Sequence, residues 1–202
     1  RSTLFPYTTL FRSRDHVNDS THITIDKGLV GHAVYGAGKG KGMYTPEGRT
    51  EPVYSRTAGK VYGDTHIDVN DGYVVRNVFG GGNLGSVGKG NYIGHGETCT
   101  STADTTLAQH SGRAYINING GTIGMLDATK PNKMFKDDVP YGSVFGGCRG
   151  MVDATSDTEG SLVSQLSHVN YSYVTIGDGS HEPRLYGSVY GGGQDGYVRW
   201  NT

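Results

Sequence analysis

The sequence predicts an all-β chain wound as a β-solenoid, a parallel β-helix-like stack of about four repeat units with loop insertions. Three observations carry this. The motif Val-[Tyr/Phe]-Gly-[Gly/Ala]-[Gly/Cys] occurs four times, at Val34, Val78, Val144 and Val189. A short alternating segment precedes each copy, and 34 of the 202 residues are Gly, more than twice the ordinary share of about 7%. Recurrence at wide spacing marks a repeat architecture.

The alternating segments are His22-Ile23-Thr24-Ile25, His66-Ile67-Asp68-Val69, Tyr115-Ile116-Asn117-Ile118 and Tyr173-Val174-Thr175-Ile176. Period-two alternation places the aliphatics on one face and the polar residues on the other, as in a half-buried strand. Each segment runs through Asn, Asp, Lys or Gly into a turn glycine (Gly28, Gly72, Gly121, Gly179), where positive φ costs a residue without Cβ little. Eight or nine positions beyond each motif stands another apolar residue, Met43, Val87, Val152 or Val198, read as a third short strand. No stretch of ten or more residues shows a convincing helical stripe.

Successive motif valines lie 44, 66 and 45 positions apart, so two units read as intact and insertions interrupt the rest. The insertions are 89–112, 127–140 and 153–171, all polar and expected on the surface. A single unit cannot bury its apolar face, whereas stacked units share a continuous core. In-register stacking makes one interior column of Ile23, Ile67, Ile116 and Val174, and a second of Ile25, Val69, Ile118 and Ile176. The motif valines and aromatics form further stacks, with the four motifs side by side. Blade periods of about 40–45 residues also suit a propeller or an antiparallel sandwich, but the units lack four well-marked strands each.

With 18 basic and 19 acidic residues, the net charge of −1 gives no electrostatic case for nucleic acid or an anionic membrane. No apolar run approaches the roughly 18 residues of a membrane span. Cys99 and Cys148 are too few for a disulfide scaffold. A bridge between them would require an oxidising compartment.

Catalytic, cofactor and metal signals are weak, and none is assigned. Gly80, Gly82 and Gly85 spell Gly-x-Gly-x-x-Gly, yet no helix follows, as a nucleotide site requires. Gly36-Ala37-Gly38-Lys39-Gly40-Lys41 lacks the Ser/Thr ending of a phosphate loop. The stretch from Gly191 to Val198 has a faint likeness to calcium-binding nonapeptides, but the equivalents of its Asp195 are read as Leu84 and Lys39. His22 and His66 fall in line with Tyr115 and Tyr173, which favours a stacked column over a metal pair. The outward strand positions Thr24, Asp68, Asn117 and Thr175 hold one carboxylate, where a glycosidase needs two. Asp137, Asp138 and Asp153 lie in the insertions.

Residues 3–13, from Thr3 to Ser13, resemble the conceptual translation of a common short-read sequencing adapter. The resemblance implies a fragment assembled from environmental DNA. Residues 1–13 are therefore set apart as a non-native, disordered segment, and 14–202 are read as a single solenoid domain truncated at both ends. Gly142-Ser143-Val144-Phe145-Gly146-Gly147 and Gly187-Ser188-Val189-Tyr190-Gly191-Gly192-Gly193, with the related stretch 78–88, resemble glycine-rich repeat regions of surface or adhesin-like proteins from Bacteroidetes. That resemblance implies an extracellular or outer-surface location and a non-enzymatic stalk or adhesive role but specifies no ligand; for an adhesive segment the expected partner is a glycan or a host or cell-surface protein. The competing expectation is a carbohydrate-active β-helix whose catalytic residues lie in the insertions or beyond this sequence.

Overall fold

The computed structural model describes residues 16–40, 43–45, 47–48, 50–51, 53–55, 57–89, 109–124, 142–150 and 167–200. Its strands form a β-solenoid of four coils. The long alternating segments are strands β1 (Thr21–Ile25), β6 (Thr65–Val69), β9 (Arg113–Ile118) and β13 (Tyr171–Ile176). They form one parallel sheet in the order β1-β6-β9-β13. The pairing is in register throughout, with Ile23 beside Ile67, Ile67 beside Ile116 and Ile116 beside Val174.

The motifs supply a second parallel sheet from β3 (Val34–Tyr35), β8 (Val78–Phe79), β11 (Val144–Phe145) and β15 (Val189–Tyr190). Valine pairs with valine and aromatic with aromatic along it. The four motifs thus occupy one column, each beside the next.

The stretch between the turn glycine and the motif, for which the sequence predicts no strand, supplies a third sheet. It consists of β2 (Leu29–Val30), β7 (Tyr73–Val74), β10 (Thr122–Ile123) and β14 (Arg184–Leu185), again parallel. Its inward residues Val30, Val74, Ile123 and Leu185 join the same core as the predicted column residues and motif valines. The exceptions are Ile176 and Val189 of the fourth coil, expected inside but exposed. An aliphatic two positions after the turn glycine in three coils was the available signal.

A fourth, shorter column closes each coil, and here the sequence reading needs correction. Val17, Val61 and Val87 are bridged in parallel, and β12 (His168–Val169) pairs with β16 (Tyr197–Val198). Val87 and Val198 belong to this column, but Met43 does not. It lies in β4 (Met43–Tyr44), which pairs antiparallel with β5 (Val53–Tyr54) as a hairpin outside the stack. Val61 takes its place. Val152 lies outside the described residues, and Val169 is the coil residue there. The first unit therefore carries an insertion hidden inside its 44-residue spacing. The turn from Val61 to Val87, 26 positions on, runs without one. The insertion placed at 153–171 ends earlier than read, because His168 and Val169 are strand residues.

The interior has two compartments. Ile25, Val34, Ile67, Val69, Val74, Val78, Ile116, Ile118, Ile123 and Val144 form the larger, and Ala37, Val61, Val87, Ala114, Cys148 and Val169 the smaller. Each fully buried aliphatic contributes about 1.5–3 kcal/mol. The turn after the long strand needs a left-handed residue, and Gly28, Gly72 and Gly121 supply it with φ of 97°, 91° and 75°. In the fourth coil the pairing of Thr122 with Arg184 places Pro183, not Gly179, beside Gly121. There Asp178 ties the longer turn, accepting from the amides of Ser180 and His181 at 2.7 and 2.8 Å.

A hydroxyl column joins strand to corner within a coil. Thr21 donates to the carbonyl of Gly36, Thr65 to Gly80 and Ser172 to Gly191, each at 2.6 Å. In the third coil the same position is Ala114. Replacing Ala114 with Ser is expected to add the missing bond to Gly146. The gain should be about 0.5–1.5 kcal/mol, read as a rise in melting temperature of roughly 2–4 °C per kcal/mol. A lower melting temperature would show that the hydroxyl has no room.

Candidate functional site

The solvent-facing side of the long sheet lines up polar and aromatic side chains from successive coils. Alternation turns Ile67 and Val69 inward and therefore His66 and Asp68 outward, and register repeats that choice in every coil. Three outward columns result.

The first is aromatic. His22 and His66 lie 5.7 Å apart and tilted, while His66 stacks on Tyr115 at 4.7 Å and Tyr115 on Tyr173 at 4.9 Å. This is the column expected from sequence. Burial against its neighbours raises the Tyr115 phenol above its ordinary pKa, although the nearby Arg113 opposes the shift. Because the rings stack along the axis, His66 and Tyr115 turn edges and polar tips to solvent, while Tyr173, last in the column, has a ring on one side only.

Asp68 organises the second column. One carboxylate oxygen meets His22 Nε2 at 2.6 Å, and the other accepts from Asn117 Nδ2 at 2.7 Å. One side chain of the second coil thus clamps the first and third. Partial burial pushes its pKa up, but the bonds from Asn117 and His22 and the charges of His22 and His66 outweigh this, so the net shift is downward. A carboxylate held below its usual range stays ionised and is a poor general acid at neutral pH. Thr24, Asn117 and Thr175, the other outward positions of this column, add no second carboxylate. Among the described residues no hydroxyl or thiol is bonded to His22.

The third column was missed in the sequence, where its members read only as turn formers. Asn70 Nδ2 donates to Asp26 at 2.7 Å, and Asn119 Nδ2 donates to Asn70 Oδ1 at 2.8 Å. The signal was an Asp or Asn directly after the long strand in three coils. Its meaning depends on register.

The Asp68 clamp gives a pH prediction. A carboxylate whose folded pKa is depressed adds stability that is present above its unfolded value, here 3.8, and lost as pH falls through the folded value. Asp68→Asn should therefore lower stability at neutral pH and flatten the acid limb below about pH 4. Melting curves at several pH values read this, and parallel wild-type and variant curves would contradict it.

The weaker sequence candidates resolve as corners. The positions of Gly82 and Gly85 face backbone of Gly38 and Gly59, so neighbouring chain fills the space a phosphate would need. Gln194 bridges Arg149, which bridges Asn83, which bridges Lys39. The equivalents of Asp195 are thus Gly150, Leu84 and Gly40, a correction to the pairing with Lys39. Cys148 is a free thiol. Burial pushes it up to about 12, despite an opposing backbone bond from Gly82, and its Sγ donates to the Gly85 carbonyl at 3.3 Å. Its side chain fills the space beneath Gly81. Cys99, Asp137, Asp138, Asp153 and residues 1–13 lie outside the described residues. Among the described residues no group of three or more His, Cys, Asp or Glu side chains is placed to hold a metal ion.

No family model, curated protein or solved structure matches this chain.

Proposed function

We propose that the chain is a non-enzymatic structural segment, a stiff adhesin-like stalk of a secreted or surface-exposed protein. The observation that carries this reading is how the outward side chains are used. Asp68, Asn117, Asp26, Asn70 and Asn119 bond to one another along the axis, and the rings of His66, Tyr115 and Tyr173 stack on one another. Such use stiffens a rod and leaves few polar groups converging on a substrate.

The stacks also narrow the adhesive part of the proposal. Sugar recognition by an open aromatic face does not suit His66 and Tyr115, which have a ring on each side. A glycan or protein partner would meet hydroxyl and imidazole edges and the insertion loops. Incubation with a panel of acidic and neutral polysaccharides, followed by assay of reducing ends, tests the reading alongside retention of the chain on immobilised glycans and cell-surface protein. Retention without new reducing ends is expected. Cleavage abolished by Asp68→Asn would replace the stalk with a carbohydrate-active enzyme.

A further inference from the structure

The outward aromatic column contains one neighbouring pair whose chemistry goes beyond stacking. Strands β9 and β13 run parallel and in register, so Tyr115 stands directly beside Tyr173. Their ring centroids are 4.9 Å apart and the ring planes lie 13° from parallel. Both rings are half-buried on the solvent-facing side, Tyr115 even with a ring on each side of it. Among the described residues, every other ring contact includes a partner that is not tyrosine. The motif ladder runs Tyr35, Phe79, Phe145, Tyr190 and so keeps its two tyrosines apart.

We infer that Tyr115 and Tyr173 form an oxidative cross-linking site, joined as dityrosine by a one-electron oxidant of the haem peroxidase class acting with hydrogen peroxide. Each phenol gives one electron to the oxidant and its hydroxyl proton to solvent, which leaves two phenoxyl radicals. The unpaired spin of a phenoxyl radical is shared with the ring carbons beside the oxygen. One such carbon from each ring joins in a new C–C bond. The hydrogen on each of those carbons then moves to oxygen and restores the hydroxyl. In sum the pair loses two hydrogen atoms, and one peroxide molecule becomes two waters.

Proximity carries the argument. The sheet holds the two phenols side by side before oxidation, so coupling within one chain needs no encounter by diffusion. Alternation also leaves the rings room to tilt from a stack into edge contact. Ile116 and Ile118, which anchor β9 in the core, point the other way. The bond would close a loop of 58 positions and tie coil four to coil three covalently. Such a closure restricts the unfolded chain as a disulfide does. The inference rests on the packing of coils three and four and not on the stalk reading, so either can fail alone.

The test treats the whole chain at high dilution with a plant peroxidase and hydrogen peroxide, then separates the monomer from larger products by size. The monomer should gain the blue fluorescence of dityrosine and a mass lower by two hydrogen atoms. Mass spectrometry of its peptides should join the one carrying Tyr115 to the one carrying Tyr173. Tyr115→Phe and Tyr173→Phe each keep a ring in the stack, and each should lose most of the monomer fluorescence. Tyr190→Phe, in the motif ladder, should retain it. A monomer without dityrosine, cross-links mapped mainly to other tyrosines, or a signal that survives both column variants overturns the inference.

Discussion

Gly80→Ala is expected to cost about 3 kcal/mol or more, the upper end for overpacking a close-packed interior. A Cβ at Gly80 would overlap the carbonyl oxygen of Gly146 and come within 2.9 Å of the Ala114 Cβ, both in the third coil. The Gly146 carbonyl is main chain and cannot rotate aside. The same substitution at Gly191, the matching position of the open fourth coil, should be close to neutral. Identical motif chemistry would then give opposite results because one glycine has a coil above it and the other does not. Because solenoid stability is a sum of coil and junction contributions, a broken second junction should also divide unfolding, with coils one and two melting apart from three and four. Urea or thermal denaturation followed by circular dichroism reads both effects. Equal losses for the two glycines would show that backbone freedom, rather than close approach, explains the motif.

Phe79→Ala is expected to cost about 3–5 kcal/mol. Phe79 is buried, with its ring between Tyr35 and Phe145 at 4.9 Å on each side and interplanar angles of 6° and 5°. Each such pair adds roughly 0.5–1.5 kcal/mol beyond the area buried. Phe79→Leu should lose less, because it keeps much of the volume and gives up the ring stacking. Tyr190→Ala should lose least, since Tyr190 is exposed and its stack with Phe145 at 4.8 Å is on one side only. An order of loss with Tyr190 above Phe79 would mean that the ladder is not what holds the motif column.

The aromatic ladder also refines the reading of the motif. Valine and aromatic are neighbours on a strand, so they face opposite ways. Val78 enters the central core, whereas Phe79 builds a separate stack beside it. Both are buried, so composition alone could not separate the two roles.

Much of the architecture was legible because each coil repeats the same local choices. Ile23 and Ile25 recur as Ile67 and Val69 and as Ile116 and Ile118, and a glycine with positive φ follows each pair. Period two sets the inward face, and repetition sets the register. The misread places are those where spacing was the only guide. Met43 stands at the right distance from its motif but lies in a hairpin, since an insertion of suitable length mimics a longer repeat. Gly179 follows its strand as its counterparts do, yet extra residues in that turn move Pro183 into the column.

The sequence by itself determined the β class, the four coils, the inward aliphatic columns and the glycine corners. These follow from alternation and turn chemistry between near neighbours and from recurrence of the same pattern 44 to 66 positions on. Only the tertiary structure decided what the outward residues do. Asp26, Asn70 and Asn119 are far apart along the chain, as are His22, Asp68 and Asn117, and coil stacking brings each set within hydrogen-bonding distance. The same stacking makes Gly80 indispensable and leaves Gly191 open, since a glycine is required only where another main chain comes too close for a side chain.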